Sequence, residues 1–245
     1  MHFHLPKPLH GWREFAGEVG IIVVGVLIAL SAEQVVETLH RQQQVHDAEA
    51  AMRLELQTDD GPQAVARAAI ERCLAAQLDA LQVAVEGDLD RAQVHKLAAA
   101  YSPLRRTWDE QAWRTATASQ AAGQMPPSAM LRWSTPYDVI PGLSSTNQKE
   151  QLDLAMLRAG ERSSGTASQL EKDRWLVAIE NLRHDNQSMA YSSHFFLLDI
   201  KDVGAAVSVQ SQKEVVGEMR SHFGDCVRSP TVGLRPNGQL DFVSR

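Results

Sequence analysis

His222 and Cys226 stand four residues apart in a stretch whose apolar spacing predicts a helix, an arrangement that sets an imidazole and a thiol on one face. A zinc site takes about four such ligands, so a surface histidine beside a buried cysteine accounts for the pair better. His40 and His46 share a face only if their helix is distorted, and His2, His4 and His10 form a histidine-bearing start with nothing to complete a metal site. Ser163, Ser164 and Gly165 lack both the Gly-x-Ser-x-Gly pattern and the strand-to-helix context of a nucleophile turn. The acid pairs Asp59 with Asp60 and Asp88 with Asp90 fall at predicted helix starts, where free N–H groups and the helix dipole stabilise carboxylates. Phosphate-loop and dinucleotide fingerprints are absent. The expectation is therefore no catalytic residue, no metal, no cofactor and no enzyme.

Aromatic residues are only 6% of the chain, yet Trp108, Trp113, Trp133 and Tyr137 fall close together in sequence. They read either as the centre of a helical core or as an aromatic pocket for a ligand or partner. In the second case Arg105, Arg106, Arg114 and Arg132 supply an anion-binding rim. Cys73 and Cys226 complete the reactive inventory. Each adjoins a predicted apolar stripe, so the pair is either a long-range disulfide or two buried thiols packing as small apolar side chains.

These residues need helices to position them. Alanine, leucine, glutamine, glutamate and arginine dominate, which favours an all-α fold. A net charge of −6 with no lysine or arginine cluster argues against nucleic-acid binding. The stretch GEVGIIVVGVLIALSAEQVVE, Gly17 to Glu37, dominates the N-terminal region. Its uncharged part, Val19 to Ala32, runs for roughly fourteen residues, short of the roughly twenty that cross a bilayer core. Extension to Phe15 and Val36 supplies the length, with Glu18 and Glu33 near the head groups and Trp12 and Phe15 at the entry interface.

Lys7 and Arg13 precede the span and Glu33 and Glu37 follow it, which sets the N-terminus in the cytoplasm and the remainder outside. A cleaved signal peptide ending near ALSA is the rival. Glu14 and Glu18 are unusual in a signal's leading region, and helix-favouring sequence continues beyond the run without interruption. Along the span Glu18, Ile22, Gly25, Ala29 and Ala32 share one seam. The small pair Gly25 and Ala29 allows close approach of a second helix, as in a homodimer, or is ordinary use of small residues.

Glu18 followed by GVLIAL, Gly25 to Leu30, resembles a bacterial family of uncharacterised single-span membrane proteins. In that family a glutamate precedes an apolar run ending in Gly-x-Leu-Ile-Ala-Leu, and a helical extramembrane region follows. The segment Thr107 to Ile140 is similar to its second recurring block. The resemblance implies a bacterial inner-membrane location and transfers no activity.

The resulting organisation is a cytoplasmic segment 1–14, a transmembrane helix 15–36, a stalk and helical bundle 37–230, and a tail 231–245. Thr58 to Pro62 predicts a break with antiparallel return of the next helix, which buries Ile70, Leu74, Leu78, Leu81 and Val85. Asp88 or Asp90 caps a third helix. Pro126, Pro127, Pro136 and Pro141 predict short helices joined by bends, and Ser168 opens a long helix toward Ile200. The Pro236-Asn237-Gly238 turn predicts a small C-terminal β-hairpin. Function is expected to be that of a periplasmic, membrane-anchored interaction module with an unidentified protein partner; a small-ligand-sensing bundle is the alternative.

Overall fold

The computed structural model describes residues 11–87, 90–159 and 165–230. The chain divides into two units, Met1–Asp47 and Ala48–Arg245. Helix α1 (Trp12–Glu55) runs through the first and ends in the second. Among the described residues it is the one helix long and apolar enough to cross a membrane. Its apolar side chains are exposed on every side, Ile21 at 76%, Leu27 at 57% and Ile28 at 66%, so the helix has no polar face along this run. Ser31 and Thr38 turn their hydroxyls back onto the carbonyls of Leu27 and Gln34, both at 2.7 Å. Such back-bonding lets a hydroxyl sit in an apolar helix without an unmet donor.

The second unit is all-α. After the last turns of α1, a single wide π-turn, Leu56–Asp60, leads into α2 (Gly61–Glu86). Glu55, Asp60 and Gly61 all keep right-handed helical backbone angles, so the expected break and antiparallel return are not formed. Pro62 directly follows the π-turn, whose wider spacing accommodates its ring and its missing N–H without ending the helix. Gly61 is required by packing. A β-carbon there would run into the Leu56 carbonyl oxygen and the Val207 side chain.

Helices α3 (Arg91–Ala100), α4 (Gln111–Ala118) and the short α5 (Ala121–Gln124) precede α6 (Pro127–Arg158) and α7 (Gln169–Asp202). The core is built by α7 packed along both α2 and α6, with α3 against α2 and α6. The α2 stripe Ile70, Leu74, Leu78 and Leu81 is fully buried, as are Leu182, Phe196 and Ile200 of α7. Helix α6 corrects the proline reading: Pro136 and Pro141 lie inside one continuous helix. Each removes a backbone donor, but burial of Trp133, Tyr137, Ile140 and Leu143 on the same helix outweighs that loss.

Asp90 caps α3, its N–H meeting Gln93 Oε1 at 3.3 Å and its carboxylate accepting the Gly165 N–H at 2.7 Å. Ser168 and Glu171 form a reciprocal capping box at the start of α7. Among the described residues there is no β-strand, only an isolated bridge between Asp90 and Thr166. The predicted hairpin at 231–245 lies outside the described residues.

Helix α8 (Val209–Phe223) packs on α2 and ends in a 3-10 turn, Gly224–Cys226. There Cys226 is bonded to Cys73 of α2, with α-carbons 5.2 Å apart. The Arg228 N–H adds a second tether to the Ala69 carbonyl at 3.0 Å. The bond closes a sequence separation of 153 residues, for which chain-entropy reasoning gives about 5 kcal/mol as an upper figure. Cys73→Ser is accordingly expected to lower unfolding stability by about 2–4 kcal/mol and to free Cys226 for alkylation. Equal melting temperatures with and without reductant would rule out this contribution.

Candidate functional site

Two polar regions of the second unit have the character of sites. The first gathers around the π-turn. Asp59 is exposed, whereas Asp60 is fully buried. Asp60 makes no cap bond to its own helix; its Oδ1 accepts the Asp109 N–H at 3.0 Å and its Oδ2 has no partner. Glu55 Oε2 accepts the Ala112 N–H at 2.9 Å, and Asp109 accepts the Gln111 N–H at 2.9 Å. Glu55 and Asp109 thus meet the first N–H groups of α4, and Asp60 holds the backbone just before it rather than capping α2.

Burial pushes the Asp60 carboxyl up to about 7; the Asp109 N–H opposes this and the nearby charges of Glu55, Asp109 and Asp59 add to it. Burial also raises Glu55. Tyr137 donates its hydroxyl to Glu55 Oε1 at 2.9 Å, and burial, with that carboxylate beside it, raises the phenol as well. The Tyr137 ring stacks on Trp113 with centroids 5.7 Å apart. Trp133 donates to Glu49 Oε1 at 3.3 Å and carries the Arg53 guanidinium 5.5 Å above its ring. Trp113, Trp133 and Tyr137 thus dock α4 and α6 onto the end of α1.

Trp108 does not join them. Its ring meets Phe196 of α7 edge-on, centroids 6.0 Å apart, so the four aromatics do not line one pocket. Trp108 instead borders a second region, an open groove of about 670 Å³ between the segment before α4 and one face of α6. Arg105, Arg106 and Trp108 form one wall, and Ser144, Gln148 and Gln151 the other. Of the four arginines proposed as a rim, two are at this groove. Arg114 pairs with Glu110 at 2.6 Å on α4, and Arg132 does not line it.

The groove rests on a polar centre that the sequence reading missed. Arg67 of α2 and Glu150 of α6 are paired through Arg67 Nη2 and Glu150 Oε1, at 2% and 0% side-chain exposure. Burial raises the Glu150 carboxyl against the opposing pull of Arg67. Asn147 donates from Nδ2 to the Leu104 carbonyl at 2.9 Å and to Glu150 Oε2 at 3.3 Å, tying the loop to the pair. A signal existed: Arg67 falls in register with the Ile70, Leu74, Leu78 stripe, and Glu150 with Leu143, Leu154 and Leu157. A charge on a buried stripe implies a buried partner.

Cys226 is spent in the disulfide, so it forms no metal pair with His222. His40 lies 3.0 Å from Gln44 Nε2 on an exposed face. Among the described residues no group of three or more histidine, cysteine or acidic side chains is placed to hold a metal. His2, His4, His10, Asp88, Ser163 and Ser164 lie outside the described residues. No family model, no curated protein and no solved structure matches the chain.

Asp60 leads to a pH prediction. Unfolded, its carboxyl ionises near 3.8; folded, near 7. Its stabilising contribution is therefore complete below about pH 4 and is lost as pH rises through about 7. Glu55 is displaced in the same sense. Asp60→Asn keeps the acceptor for Asp109 and removes the charge, although one buried amide N–H is left unmet. It should stabilise the protein at pH 8 by about 1–3 kcal/mol and flatten the pH dependence of unfolding between pH 4 and 7. An unchanged slope in denaturant titrations across that range would reject the assignment.

Proposed function

We propose that the protein is a single-pass, membrane-anchored helical interaction module, with α1 held in a bacterial inner membrane and the bundle facing the periplasm. The observation that carries this reading is the apolar run of α1, exposed around its whole circumference. At about 25 cal/mol per Å² such a surface is expensive to leave in water. The Cys73–Cys226 bond supports the outward orientation, since disulfides persist outside the cytoplasm. The likeness of Glu18 and GVLIAL to the single-span family accords with it, and the block Thr107 to Ile140 covers α4, α5 and the aromatic half of α6.

A second reading, small-ligand sensing by the bundle, is favoured by the groove beside Arg105 and Arg106. In the span, Gly25 has no neighbour within 4 Å of where a β-carbon would lie, and Glu18, Ile22, Ala29 and Ala32 are exposed along the same seam. That seam suits a second copy of α1.

An alkaline-phosphatase fusion after residue 230 should be active and one after Arg13 inactive. The mature chain should keep residues 19–32 and resist carbonate extraction. A mature N-terminus at Ala32 or Glu33 would make the segment a cleaved signal and overturn the anchor. Gly25→Ile should lower self-association of the span in a membrane association assay, because a branched side chain on that seam holds the helices apart. An unaltered dimer fraction would remove the seam from the proposal.

A further inference from the structure

We propose that the groove between Arg105–Trp108 and α6 binds a small organic anion, a carboxylate or phosphate monoester attached to a flat or apolar body. The inference rests on the ligand-sensing reading of the bundle. Five other arginines, Arg41, Arg67, Arg91, Arg114 and Arg183, are paired with carboxylates. Arg105 and Arg106 have no acidic partner among the described residues. They are adjacent, so their charges repel, and no carboxylate lines the groove in a chain of net charge −6. Two guanidinium forks side by side suit the oxygens of a carboxylate or phosphate.

Trp108 supplies the second line of argument. Its ring borders the groove beside Arg105 and Arg106 and offers an aromatic surface to a flat ligand body. Ser144, Gln148 and Gln151 present neutral donors from one face of α6, and Leu152, 69% exposed, adds apolar surface for the body of the ligand. The volume of about 670 Å³ lies in the range of small-molecule sites.

The backbone that carries the arginines is already fixed. Asn147 holds the Leu104 carbonyl at 2.9 Å and Gln63 Nε2 holds that of Thr107 at 2.9 Å, one on each side of Arg105 and Arg106. Little ordering is left for binding to supply apart from the arginine side chains themselves.

The test uses the full chain in a non-ionic detergent at constant ionic strength, titrated with phenyl phosphate, phthalate and inorganic phosphate, and with benzamide and benzylamine as neutral and cationic counterparts. Thermal unfolding and tryptophan emission are followed together. Phenyl phosphate or phthalate should raise the melting temperature saturably. The double substitution Arg105→Gln, Arg106→Gln should weaken binding by about tenfold or more while leaving the ligand-free melting temperature in place, because neither side chain is buried. Trp108→Phe should weaken binding less.

No saturable shift with any anion, or a shift that survives the double substitution, overturns the anion site. If benzamide or benzylamine stabilises the protein while the anions do not, the anion site is lost but ligand sensing stands. If none of the compounds stabilises it, both fall. A repeat in nanodiscs with and without phosphatidylglycerol separates the sources of anion: arginine-dependent stabilisation by that lipid alone overturns a soluble ligand.

Discussion

The buried ion pair between Arg67 and Glu150 is the constraint around which the second unit is arranged. Removing two charges from water costs several kcal/mol each, and only close pairing with further hydrogen bonds offsets that cost. The pair thus ties α2 to α6, two helices that are otherwise brought together by α7 packed along both, and it fixes how each must be rotated to present Arg67 Nη2 to Glu150 Oε1. Asn147 extends the pair to the loop, and the charge of Arg67 opposes the upward shift that burial imposes on the Tyr101 phenol. Two of the guanidinium nitrogens, Nε and Nη1, remain without partners, as does the Tyr101 hydroxyl. The centre thus specifies alignment more than it adds net stability, the use for which buried polar groups are best suited.

The π-turn sets the opposite electrostatic problem. Its one extra residue carries Asp60 inward without a cationic partner, and Glu55 and Asp109 add negative charge around it. Backbone N–H groups at the start of α4 are what make this tolerable. Asp60 accepts from Asp109 just before α4 and Glu55 from Ala112 in its first turn, so acids at the end of α1 and in the π-turn hold the start of a helix far along the chain. Proton uptake by Asp60 relieves the repulsion, whereas the Arg67 centre meets its cost by pairing.

Legibility followed the range of the interactions. The all-α class, the apolar run of α1, the α2 stripe, the Asp90 cap and the Ser168 start of α7 all rest on spacing within a few residues, and all can be read along the sequence. The predicted return at Thr58 to Pro62 failed because Gly and Pro also suit the first turn of a helix that continues from a π-turn. Pro136 and Pro141 misled in the same way: local cost was outweighed by distant burial. Trp108 is near Trp113, Trp133 and Tyr137 in sequence, but it packs edge-on against Phe196 of α7 while Trp113 stacks on Tyr137. The Arg67–Glu150 pair joins residues 83 apart, and nothing local matches those partners.

The loop 101–110 shows how the two centres act on one piece of chain. It has no regular structure, so its backbone polar groups need partners from elsewhere. Arg158 reaches the Tyr101 carbonyl at 2.9 Å, Asn147 takes that of Leu104, Gln63 that of Thr107, and Asp60 accepts from Asp109. Two of these anchors sit on α6 and two at or beside the π-turn. Side chains from the bundle thus do for the loop what a ladder does for a strand, and they do it at several points along its length. A loop held this way can leave Arg105 and Arg106 exposed and unpaired without collapsing onto a neighbouring carboxylate.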